Sequence, residues 1–66
     1  MNWEDFKKTV KEDISTDSEV ICIKKDGYNL VFFKNGEVYE KRENYSLCIA
    51  TERTPTQMLK IKEGLE

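Results

Sequence analysis

The run Tyr28-Asn29-Leu30-Val31-Phe32-Phe33 stands between Asp26-Gly27 and Asn35-Gly36. Aromatic and β-branched residues suit a half-buried pleated strand, and each Asx-Gly pair suits a hairpin turn that needs positive φ. A strand with a tight turn at both ends has antiparallel partners on both sides. An antiparallel sheet is therefore the firmest inference the chain permits, and the other segments are read against it.

Upstream, Val20-Ile21-Cys22-Ile23 is a short apolar run and forms the first strand. A two-residue Asp26-Gly27 turn pairs Ile23 with Leu30, Cys22 with Val31, Ile21 with Phe32 and Val20 with Phe33. A two-residue Asn35-Gly36 turn pairs Phe33 with Val38, Phe32 with Tyr39, Leu30 with Lys41 and Asn29 with Arg42. One sheet face then carries Ile21, Ile23, Tyr28, Leu30, Phe32 and Tyr39, and the other Val20, Cys22, Val31, Phe33 and Val38. Tyr45 to Ala50 reads as a fourth strand. If Glu43-Asn44 is again a two-residue turn, Val38 faces Ile49 and Glu40 faces Leu47.

Helices flank the strands. Asn2 is placed to cap a helix whose first turn holds Glu4 and Asp5, where the partial positive charge of the helix end favours carboxylates. Trp3, Phe6, Val10 and Ile14 recur at helical spacing, so this helix is expected to run to about Ser15. The polar cluster Ser15-Thr16-Asp17-Ser18 follows as a loop. At the other end, Thr54-Pro55-Thr56-Gln57 has threonine, proline and glutamine where a capping box wants them. Met58, Ile61 and Leu65 form the apolar stripe of this second helix, and Gly64 supplies its left-handed terminator, with Leu65 folding back toward Leu59.

The expected fold is α+β: a four-stranded antiparallel meander with an N-terminal and a C-terminal helix, as one domain over residues 1–66. Leu30 and Phe32 are expected at the centre of the core, touching Trp3, Phe6 and Val10. At 66 residues such a chain has little core to spare, which makes association a natural source of extra burial.

Function is constrained mainly by what is missing. The chain has no histidine, so the usual zinc, triad and Cys/His arrangements lose a member, and no catalytic residue, metal ligand or cofactor is assigned. Cys22 and Cys48 lie in apolar strand runs and are expected to be reduced, buried and on different sheet faces. The net charge of -2 argues against a strongly basic nucleic-acid binder. No apolar run is long enough to span a bilayer and the acidic N-terminus is unlike a signal peptide, so a cytoplasmic location is expected.

Two readings remain. The first is a non-catalytic protein-interaction module, a small regulator or inhibitor that occupies a partner surface or forms a homodimer. Its contact face would be Val20, Val31, Phe33, Val38 and Ile49, with Phe33 as anchor. The alternative is a nucleic-acid-binding module that uses Lys24, Asn29, Arg42 and Tyr45, brought side by side by the pairing above, to hold phosphates and stack on bases. Against it, lysines at a strand end also serve simply to deter strand addition.

Overall fold

The computed structural model describes residues 1–64. Its elements are α1 (Trp3–Thr9), β1 (Val20–Lys25), β2 (Tyr28–Phe33), β3 (Val38–Lys41), β4 (Ser46–Ala50) and α2 (Pro55–Lys62). The strands form one sheet in the order β1-β2-β3-β4, each pair antiparallel. This is the expected α+β meander between two helices.

The first hairpin has the expected register, from Val20 opposite Phe33 to Lys25 opposite Tyr28. The second does not. Phe32 pairs with Val38, Val31 with Tyr39 and Asn29 with Lys41, one residue away from the expected pairing. The connection is a three-residue loop, Lys34-Asn35-Gly36, in which Gly36 N–H donates to Phe33 C=O (3.0 Å) and Phe33 N–H donates to Glu37 C=O (2.9 Å). Gly36 alone in this turn takes positive φ, +102°. A type I turn followed by a left-handed glycine is the usual form of the three-residue hairpin. Because side chains alternate, the shift of one moves Val38 to the face where Tyr39 was expected and Tyr39 to the opposite one.

The third turn is the two-residue Glu43-Asn44 connection, closed by Arg42 N–H donating to Tyr45 C=O at 2.8 Å. Glu40 accordingly faces Leu47 as expected, but a bulge follows and Val38 faces Ala50 rather than Ile49.

The core is one cluster: Trp3, Phe6 and Val10 from the α1 segment, Ile21, Ile23, Leu30, Phe32 and Val38 from the sheet, and Met58 from α2. The strand residues in it all belong to a single sheet face, so both helices pack on that face. Phe6 and Phe32 meet edge to face with ring centroids 5.5 Å apart, and Trp3 meets Phe6 at 6.0 Å in the same manner. Such pairs add about 0.5–1.5 kcal/mol to the burial itself. In α2, Thr54 Oγ1 accepts from Gln57 N–H and Gln57 Oε1 accepts from Thr54 N–H, the expected capping box. Leu59 and Ile61 are half-buried against the core; the expected contact of Leu65 lies outside the described residues.

Helix α1 is shorter than its spacing suggests. It ends at Thr9, Val10 turns extended, and Ile14 is 60% exposed. The cause is the edge of β1. Asp13 pairs with Ile23 as an isolated antiparallel bridge. Its carboxylate accepts from Cys22 N–H and Ser15 N–H, while Ile14 N–H donates to Cys22 C=O at 2.9 Å. Lys7 Nζ binds Asp13 at 2.9 Å and also reaches Val20 C=O. Continuing the helix would gain one solvated turn; leaving it satisfies the outward backbone groups of a sheet edge, where unmade hydrogen bonds are costly.

Burial alone would raise the Asp13 pKa, but hydrogen bonds from Cys22, Lys7 and Ser15 outweigh it and hold the carboxyl below its ordinary value. A depressed folded pKa contributes stability above the unfolded value and loses it as pH falls through the folded one. Asp13→Asn should therefore cost about 1–2 kcal/mol at neutral pH. Urea titrations should show the gap between variant and parent closing as pH falls below about 4; a gap independent of pH would contradict this role.

Candidate functional site

With both helices on one side, the other face of the sheet has no helix over it. The observed pairings arrange its side chains in rows across the strands. One row joins Val20 to Phe33, the next runs Cys22, Val31, Tyr39, Cys48, and the last runs Lys24, Asn29, Lys41, Ser46. Val20, Cys22, Val31, Phe33 and Tyr39 are half-buried. Phe33 and Tyr39 form an edge-to-face pair at 5.4 Å. A shallow depression of about 340 Å³ lies over them, lined by Val31, Phe33, Glu37, Tyr39, Lys41 and Ser46.

This open face has a polar character that differs from end to end. Glu37 stands beside the aromatic pair at one end, and its charge, with partial burial and the neighbouring Cys48, raises the Tyr39 phenol pKa above its ordinary value. Tyr39 is therefore a neutral donor and acceptor at physiological pH. Lys24 and Lys41 are exposed at the other end. The surface is an apolar and aromatic centre between an acid and two cations.

The structure redistributes the residues expected here. Val20, Val31 and Phe33 are on the open face. Val38 is not: it is fully buried at 0% exposure beneath the helices, because of the three-residue turn. Ile49 is 41% exposed on the bulged part of β4. Tyr39, left out of the expected contact face, takes the central place that Val38 was given. An Asn-Gly pair read as a three-residue loop would have found it.

The same slip divides the expected basic patch. Lys24 and Asn29 are neighbours, but the next position across is Lys41, not Arg42. Arg42 lies on the helix-bearing side, where its guanidinium pairs with Glu40 and sits 4.9 Å from the centre of the Tyr28 ring. Tyr45 is 59% exposed opposite Arg42 at the turn. The four residues do not form one surface, and Arg42 is already occupied by a carboxylate and a ring.

Both cysteines are free thiols. The expected reason is corrected: they share the open face, at the two ends of one row. Three strand spacings, about 14 Å, keep them apart. Cys22 is half-buried and Cys48 exposed, so only Cys22 approaches the expected buried state. Burial, followed by the Asp13 charge and opposed by Lys41, pushes the Cys22 thiol pKa up. A raised pKa lowers its thiolate fraction. Among the described residues no group of three or more His, Cys, Asp or Glu could hold a metal ion, and no helix is long and apolar enough to cross a membrane.

Comparison with protein-family models, with curated proteins and with solved structures finds no match to this chain.

The geometry separates two neighbouring apolar positions. Val38→Asp buries a charge in the core and should unfold the chain, whereas Phe33→Asp faces water and should leave a cooperative thermal transition. Circular dichroism melts distinguish them; equal loss of structure in both variants would contradict the assigned faces.

Proposed function

We propose that the protein is a non-catalytic interaction module that docks its helix-free sheet face onto a protein partner, acting as a regulator or inhibitor by occupying that surface. The observation that supports it best is the one-sided placement of the helices, which leaves Phe33, Tyr39 and Val31 as a contiguous apolar patch with no helix over it among the described residues. Patches of this kind, rimmed by polar groups, commonly mark interaction sites. Phe33 and Tyr39 are the anchors, since centrally placed aromatics usually dominate binding energy. Glu37 at one end and Lys24 and Lys41 at the other orient the partner and contribute more to specificity than to affinity.

The reading favours protein over nucleic acid because the cations occupy one margin of the face while its centre is apolar and its far end acidic. In affinity capture from the native host followed by titration of the purified partner, Phe33→Asp should weaken binding by about 2 kcal/mol or more. Lys60→Glu, on the exposed side of α2, should leave binding unchanged. Retention of the partner by a folded Phe33→Asp variant, or capture of nucleic acid released by salt, would overturn the proposal.

A further inference from the structure

The two edges of the sheet are treated differently. On β1, Val20 N–H donates to Asp17 C=O and Val20 C=O accepts from Lys7, while Cys22 N–H donates to the Asp13 carboxylate and Cys22 C=O accepts from Ile14 N–H. On β4 nothing comparable is present among the described residues. The Arg42–Tyr45 pair is hydrogen-bonded, so by antiparallel alternation Leu47 turns its N–H and C=O toward β3, and Ser46 and Cys48 turn theirs outward. An unpaired row of this kind is a template for another strand.

The side chains match the backbone. Asn44 to Thr51 carries no charge in a chain that is 36% charged. Natural edges are usually protected by lysine or proline, and this run has neither. Tyr45, Leu47 and Ile49 are 59%, 53% and 41% exposed, three of the five large apolar residues exposed in this way among the described residues. Strand alternation brings Tyr45 and Leu47 onto one face, and Ile49 follows at the bulge.

We propose that β4 is a strand-addition edge, and that its occupant is β4 of a second copy, antiparallel about a two-fold axis at Leu47. This surface is separate from the open face and does not depend on the reading given to that face. The choice of occupant follows from register. Centred on Leu47, Ser46 lies opposite Cys48 of the second copy and Cys48 opposite its Ser46, so the outward groups of both chains exchange hydrogen bonds in two close pairs. Leu47 lies opposite Leu47, which pairs this exposed apolar side chain with its own copy, and Tyr45 lies two residues along on the same face. No like charges meet. The bulge after Cys48 limits the ladder to this short segment, so the contact is small and the dimer belongs to the transient class below about 1,200 Å² of total buried surface.

Sedimentation equilibrium from about 10 µM to about 1 mM covers the range such an interface requires. The parent should show a reversible monomer–dimer equilibrium. Cys48→Pro removes an outward N–H without touching the ladder to β3, a position where an edge strand tolerates proline; it should keep its circular dichroism spectrum and lose dimerisation by at least about tenfold in Kd. Phe33→Asp should dimerise like the parent. As a readout independent of the proline, Leu47→Cys in a Cys22→Ser, Cys48→Ser background should oxidise to a covalent dimer, since residues facing each other in a non-hydrogen-bonded pair sit at disulfide distance. A parent that stays monomeric overturns the proposal, even if the edge takes an extended peptide of other sequence. So does a dimer that survives in folded Cys48→Pro, one abolished by Phe33→Asp, or a Leu47→Cys chain that fails to cross-link.

Discussion

Gly36 seats the second hairpin against the loop that leads into α2. Its C=O accepts from Arg53 N–H at 2.9 Å, and a Cβ at this position would stand 3.0 Å from the Arg53 nitrogen and the Glu52 Cα. Only glycine permits that approach together with a φ of +102°. The contact ties the β2–β3 turn to the start of α2, while the turn itself decides which residues of β3 face the helices. Val38 is delivered to the core, Tyr39 to the open face, and β4 inherits its facing from β3.

From that turn the rest follows in order. Val38 completes the row Ile21, Phe32, Val38 on which α1 and α2 both lie. So small a chain has enough apolar helix surface to cover one sheet face, and both helices are spent on the same one. The opposite face keeps Phe33 and Tyr39 packed on each other instead of on a helix. The β1 edge is closed by residues that would otherwise have lengthened α1, so protection of one edge and shortening of one helix are a single event. Among the described residues no segment closes the β4 edge in the same way.

Much of this was legible in the residues. Strand and helix identities, the Asp26-Gly27 hairpin, the α2 capping box and the inward placement of Phe6, Leu30 and Phe32 follow from spacing and turn chemistry. The register of β3 does not, because Asn-Gly fits both a two-residue and a three-residue hairpin, and the contact of Gly36 with Arg53 is long-range and not readable from the turn. One slip of register then accounts for the exchange of Val38 with Tyr39, of Arg42 with Lys41, and for Cys48 joining Cys22 on one face. The early end of α1 was hidden for a different reason. Val10 and Ile14 continue a helical spacing, and the value of Asp13 as an edge cap exists only once β1 is known to be an edge. The one-sided arrangement of the helices was one of two that the residues left open, a helix on each face or both on one, since both sheet faces carry apolar residues.

The most direct test of this arrangement is a set of nuclear Overhauser contacts from Val38 and Tyr39 in the labelled protein. Val38 methyl protons should show contacts to the Phe32 ring and to groups of the helix-covered core. The Tyr39 ring should show contacts to Phe33, Val31 and Cys48, with none to Phe6 or Met58. The reverse pattern, with the Tyr39 ring against Phe6 or Met58 and Val38 beside Phe33, would contradict the three-residue turn and with it the open face.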